Sequence, residues 1–105
     1  MLYTIAETPV FTRYAAEIWS EEERGAFCAW LAAHPEAGDV IPGSGGFRKV
    51  RWTRPGSGKR GGARVIYYFR PAEAKIWLLI VYTKSKFDSL PTALLRRLKD
   101  EIEGA

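Results

Sequence analysis

The stretch KIWLLIVYT, Lys75 to Thr83, constrains the fold more than any other part of the chain. An unbroken apolar run of this length is too short to cross a bilayer and reads as a strand buried on both faces at the centre of a sheet. The two segments before it supply neighbours. ARVIYYFR, Ala63 to Arg70, is rich in β-formers and is joined to the run only by the turn PAEA. FRKVRWT, Phe47 to Thr53, alternates as a half-buried strand. Phe47, Lys49, Arg51 and Thr53 point one way, and Arg48, Val50 and Trp52 the other, with Val50 and Trp52 expected toward the core. Three consecutive strands with short loops favour antiparallel pairing.

Helices account for most of the remainder. LYTIA, Leu2 to Ala6, is a short first strand, and after Pro9 the residues Phe11, Tyr14, Ala15 and Ile18 recur at helical spacing. Ser20 can cap a second helix with Glu23 as its capping-box partner, and Glu21, Glu22 and Glu23 sit at the positive end of its dipole. Phe27, Trp30, Leu31 and His34 share one face of that helix, which Pro35 and Gly38 close. GDVIPGSGG, Gly38 to Gly46, reads as a loop. Near the end of the sequence Pro91 occupies the first turn of a helix whose stripe is Leu94, Leu95, Leu98 and Ile102. The expected order is β-α-α-β-β-β-α. That is an α+β fold, a small, mostly antiparallel twisted sheet with helices packed on it, in one domain over residues 1–105.

Charge is distributed unevenly. The net charge is +4, yet no acidic residue occurs from Val40 to Ala72. That span carries Arg48, Lys49, Arg51, Arg54, Lys59, Arg60, Arg64 and Arg70, while the rest of the chain holds 8 cations against 12 carboxylates. A basic segment on a mildly acidic body points to a polyanionic partner, most often nucleic acid, against the plainer reading of a solvated face. The lone Cys28 rules out an intramolecular disulfide framework and fits a reducing cytoplasm, and MLYTIAETPVF lacks the features of a signal peptide.

Within the basic segment lies GSGKRGG, Gly56 to Gly62, whose spelling fits G-x-G-x-x-G. A dinucleotide loop needs a helix after the glycines, and here the strand ARVIYYF follows. A triphosphate loop needs Ser or Thr after its lysine, and Lys59 is followed by Arg60. The loop is therefore a hairpin between two basic strands, with Lys59 and Arg60 available to a phosphate backbone. One His and one Cys offer no metal-ligand cluster and no catalytic triad, so neither metal nor cofactor is expected. Cys28 reads as core filler and His34 as a helix-end residue. Trp19, Trp30, Trp52 and Trp77 read as core, whereas Tyr67, Tyr68 and Tyr82 divide between core and groove.

What is left is a cluster of cations on a sheet. Lys49 and Arg51 share a strand face, Arg64 opens the next strand, and Lys84 and Lys86 follow the apolar run. Strands about 4.8 Å apart can bring them onto one concave surface. Such a surface binds RNA phosphates and can stabilise the charge of a pentavalent phosphorane. A lysine crowded by cations can act as a base.

In GDVIPGSGGFRKVRW, GKRGGARVIYYF and LLIVYTK, Gly38 to Trp52, Gly58 to Phe69 and Leu78 to Lys84, the chain resembles the RelE/ParE superfamily of type II toxins, nearest the HigB-type branch. The resemblance implies a ribosome-dependent endoribonuclease that enters the A site of the 70S ribosome and cleaves mRNA by attack of the 2′-OH. It implies a cytoplasmic setting and a cognate antitoxin, often of helix-turn-helix type, with operator DNA bound only by the toxin–antitoxin complex, and no membrane. Lys49 and Arg51 match the RelE basic pair and take hydroxyl activation or phosphate orientation; Arg64 matches the charge-stabilising arginine. Two positions depart. Ser85, between Lys84 and Lys86, stands near a further RelE arginine, and Pro91 stands near the RelE C-terminal tyrosine. Lys84 is the substitute candidate for proton transfer, with Arg48, Arg54, Lys59, Arg60 and Lys86 as RNA-backbone contacts. The competing readings are a ParE-like gyrase inhibitor and a catalytically weak module that binds RNA or antitoxin.

Overall fold

In the computed structural model, which describes residues 3–52, 62–83 and 91–103, five strands form one sheet. They are β1 (Thr4–Glu7), β2 (Asp39–Val40), β3 (Phe47–Trp52), β4 (Ala63–Arg70) and β5 (Lys75–Tyr82), and their spatial order is β1-β5-β4-β3-β2. The apolar run is thus an interior strand, as its composition demands. Strand β5 pairs with β4 along one edge and with β1 along the other, and both of its faces are covered. The β1 pairing is parallel, while the other three strand pairs are antiparallel.

A register shift divides β5 between two cores. Ile66 pairs with Ile80 and Tyr67 with Leu78, so Leu79 is an extra residue opposite β4. Such a bulge puts two successive side chains on one face and sharpens the local twist. Ile76, Leu78 and Val81 join one cluster, whereas Leu79, Ile80 and Tyr82 join the other.

The first core is closed by two helices, α1 (Pro9–Ile18) and α2 (Glu21–Ala33). Phe11 and Ala15 of α1 and Phe27 and Leu31 of α2 pack on Val50, Val65 and Tyr67. Thr8 sets the entry to α1. Its hydroxyl accepts the Phe11 N–H at 3.1 Å and donates to the Leu79 carbonyl at 2.8 Å, tying the start of α1 to β5 where β1 stops. Ser20 and Glu23 form the expected capping box at 3.1 and 3.0 Å. The second core lies on the opposite face of the sheet under α3 (Thr92–Glu103), whose Leu95 and Ile102 pack on Phe47, Ile66, Leu79, Ile80 and Tyr82.

Several expectations need adjusting. Asp39 and Val40, read as loop, pair with Lys49 and Arg48 as a two-residue edge strand. Phe47 is fully buried beneath α3, so the strand face it shares with Lys49 and Arg51 is half core and half surface. The first strand runs from Thr4 to Glu7, and Leu2 and Thr53 lie outside the described residues. PAEA holds a short 3-10 helix, Pro71–Glu73, closed by Ala74 at φ 52°. Pro91 precedes α3, and its carbonyl accepts from the Leu94 and Leu95 N–H groups.

One buried hydroxyl joins the two halves of the chain. Tyr67 on β4 donates to the Pro35 carbonyl at 2.8 Å and accepts the Gly38 N–H at 2.9 Å. Burial pushes its phenol above the ordinary tyrosine value, which keeps the donor proton in place. Gly38 is needed for this approach, since a Cβ there would stand 2.9 Å from both the Lys49 carbonyl oxygen and Tyr67 Cε1. Tyr67→Phe leaves the Gly38 N–H buried without that partner and should cost ~1–3 kcal/mol in urea unfolding. An unchanged urea midpoint would show that the hydroxyl does not hold this loop.

Candidate anion-binding face

The strand register arranges the α3 side of the sheet in three cross-strand rows. Phe47, Tyr68 and Trp77 form the first, Lys49, Ile66 and Ile80 the second, and Arg51, Arg64 and Tyr82 the third. Helix α3 covers the apolar members through Leu95 and Ile102. Lys49 and Arg51 of β3 are exposed, Lys49 with Asp39 of the edge strand β2 as its ladder partner, and Arg64 is half-buried between Arg51 and Tyr82. The expected convergence of Lys49, Arg51 and Arg64 on one surface is therefore present.

The electrostatics of this corner are unbalanced. Among the described residues no carboxylate makes an ion pair with Lys49, Arg51 or Arg64, whereas Arg24 is paired with Glu7 and Glu21, and Arg70 with Glu73. Arg51 and Arg64 are direct ladder partners. Like charges opposite each other across strands are destabilising. One terminal nitrogen of Arg64, Nη1, is buried and has no hydrogen-bond partner among the described residues. A buried guanidinium N–H without an acceptor carries a desolvation cost that a bound anion would remove.

Tyr82 closes the row. It is fully buried, and burial pushes its phenol above the ordinary tyrosine value while the nearby Arg64 charge pulls the other way. It stays protonated near neutral pH and able to donate. The sequence did not separate Tyr82 from Tyr67 and Tyr68, because the bulge that sets its face leaves no mark in residue periodicity. The structure places Tyr67 in the first core and Tyr68 under Lys99, whose Nζ lies 5.4 Å from the ring centroid. Lys99 of α3 therefore stands over the first row, and Arg96, Arg97 and Asp100 of the same helix are exposed.

Arg48 is not part of this face. It lies on the α1–α2 side opposite Tyr67 and donates to the carbonyls of Gly38 at 2.7 Å and Glu36 at 3.4 Å. Arg54, Lys59, Arg60, Lys84 and Lys86 lie outside the described residues, as does the GSGKRGG loop up to Gly61. Cys28 packs beside the first core, and burial pushes its thiol up to about 11, so it is protonated and unreactive at neutral pH. His34 caps α2, stacked on Trp30 with its Nδ1 2.9 Å from the Trp30 carbonyl oxygen. No helix among the described residues is long and apolar enough to cross a membrane.

No protein-family model matches the sequence. Solved structures with the same fold do exist. A double arginine-to-alanine mutant of the E. coli toxin RelE in the free state aligns with a TM-score of 0.65 and 13% identity, over 94% of this chain and 98% of that one. The RelBE2 toxin–antitoxin complex of Mycobacterium tuberculosis aligns with a TM-score of 0.60 and 17% identity, over 79% of this chain and 99% of that one. The intact E. coli RelBE toxin–antitoxin complex aligns with a TM-score of 0.56 and 14% identity, over 77% of this chain and 95% of that one.

The unbalanced row predicts a gain in stability when it is broken. Arg51→Gln should raise the unfolding free energy by ~0.2–1 kcal/mol at low salt, and added sodium chloride should narrow the gap from wild type. Thermal unfolding at two salt concentrations measures it; a variant less stable than wild type at low salt would contradict repulsion between Arg51 and Arg64.

Proposed function

We propose that this chain, which has the fold of the RelE toxins, is the toxin of a type II toxin–antitoxin pair and cleaves mRNA in the ribosomal A site. The observation that carries this reading is the group of cations Lys49, Arg51 and Arg64, without ion-pair partners among the described residues, on the open corner of the α3 face. The sequence likeness to the HigB-type branch of the RelE/ParE superfamily supports it.

The chemistry needs little beyond charge and proton transfer. The ribose O2′ bonds to the adjacent phosphorus, its proton passes to a base, and the bond from phosphorus to the 5′ oxygen breaks as that oxygen takes up a proton. The products are a 2′,3′-cyclic phosphate and a 5′-hydroxyl. Negative charge grows on the non-bridging oxygens in the phosphorane, and preorganised donors at that point lower the barrier. Arg64, held half-buried with a spare N–H, suits that task, because its donors need no reorganisation. Lys49 and Arg51, exposed on β3, suit hydroxyl activation or phosphate orientation. Lys84 is the proposed proton donor, in place of the RelE C-terminal tyrosine. Arg54, Lys59, Arg60 and Lys86 are proposed contacts to ribosomal or messenger RNA backbone. Arg48 would join them only by giving up the two carbonyls that engage its guanidinium.

The proposed setting is the cytoplasm, with the 70S ribosome and mRNA as target and a cognate antitoxin, of helix-turn-helix type, as partner. Two of the structural relatives are toxin–antitoxin complexes. Operator DNA would be bound only by the complex.

Mapping of the new mRNA 5′ ends by primer extension in a translation extract tests the reading. Codon-spaced cuts that require ribosomes are expected, and Arg64→Ala should reduce them by ~10²–10³-fold while the variant stays folded. Intact mRNA together with inhibited DNA supercoiling would replace this reading with gyrase inhibition.

A further inference from the structure

A cavity lies one step along the sheet from the cation row. It measures about 330 Å³ and is lined by Tyr14, Glu17 and Ile18 of α1 and by Tyr82 and Thr83 at the end of β5. This is the low end of the range for small-ligand sites, ~300–1,000 Å³. Its position follows from the fold. Strand β1 pairs with β5 only as far as Leu78, and α1 covers the edge of β5 beyond it. Tyr14 consequently touches both hydrophobic cores.

Four features in and around the cavity bear on what it can hold. Its walls are mostly aromatic and aliphatic, and such surfaces take the flat face of a nucleobase by stacking. Tyr82 is both a wall of the cavity and the ladder partner of Arg64, so an occupant is joined to the anion-binding row by one residue. The guanidinium of Arg13 lies 5.5 Å from the Tyr14 ring centroid, placing further positive charge at the α1 side. Glu17 is the carboxylate of the lining, it is exposed, and among the described residues no cation pairs with it. A carboxylate near neutral pH only accepts hydrogen bonds. Guanine is the RNA base whose pairing edge presents two adjacent donors, N1–H and the N2 amino group, and these match the two oxygens of a carboxylate.

We infer that the Tyr14–Glu17–Tyr82 cavity receives a guanine base, with Glu17 reading its N1–H and N2–H edge while the attached phosphate turns toward Arg64. This deepens the proposed function, on which it rests for the source of the base in RNA. Glu17 is a specificity residue in this scheme and takes no part in bond cleavage. Tyr14 and Ile18 supply the surface on which the base lies.

The test uses the whole chain and free 5′-GMP, AMP, CMP and UMP, followed by NMR shifts of the Tyr14 and Tyr82 rings. GMP should shift these rings and bind about tenfold tighter than the other three, and Glu17→Gln should remove that preference. Glu17 is exposed, so glutamine there should leave the fold intact, and an unchanged melting temperature checks this. Equal shifts from all four nucleotides, or unaltered GMP binding in Glu17→Gln, would overturn the inference. Cut-site mapping separates it from the broader reading. Ribosome-dependent cuts with no GMP preference would sink the guanine site alone, whereas Glu17-dependent GMP binding without any cuts would keep the site and sink the nuclease.

Discussion

Everything in this fold hangs on β5 being buried on both faces and bonded on both edges. A strand of that kind must have a second layer on each side of the sheet, and the chain supplies α1 and α2 on one face and α3 on the other. The parallel β1 and the antiparallel β4 satisfy its backbone groups, and Thr8 extends the edge coverage with two further bonds to Leu78 and Leu79. The bulge at Leu79 then decides which side chains face which layer. It gives α3 both Leu79 and Ile80 to pack on and turns Tyr82 into the same row as Arg64.

The basic corner exists because α3 buries only part of its face. Phe47 at the start of β3 is covered, while Lys49 and Arg51 further along the same strand are not. A short strand thereby serves two ends, with apolar residues anchoring it to the core and cations held at a fixed spacing above it. The repulsion between Arg51 and Arg64 has no compensating carboxylate among the described residues. A protein under selection for stability alone would place an acid there. An arrangement that binds a polyanion is instead stabilised when the anion arrives, which also makes association sensitive to salt.

Much of this was legible in the residues, and the exceptions have physical reasons. The apolar run, the Ser20–Glu23 cap and the alternation of FRKVR announced an interior strand, a helix start and a half-buried strand, because each follows from local periodicity or local hydrogen bonding. That Lys49 and Arg51 lie one hairpin away from Arg64 followed from the strand after the glycines, but the register that sets Arg51 opposite Arg64 did not. Other features depend on contacts between distant segments. Phe47 looked solvent-facing beside Lys49 and Arg51, since nothing in the strand itself reveals that Leu95 and Ile102 return to cover it. Arg48 looked like one more free cation until the loop carbonyls of Glu36 and Gly38 folded back onto it. Tyr82 was lost among three tyrosines because a single-residue bulge changes facing without changing composition. The glycines of GSGKRGG matched a cofactor loop in spelling, and it was the strand after them that excluded it.

The most direct test of RNA engagement by the cation row is the salt dependence of binding to programmed 70S ribosomes. If Arg51 and Arg64 engage RNA phosphates, the double variant Arg51→Ala/Arg64→Ala should bind more weakly and with a shallower dependence of log K on log salt. The slope should fall by about 0.7 for each single-strand phosphate that the variant no longer neutralises. A folded double variant with the wild-type slope would contradict the claim that this row is where the protein meets RNA.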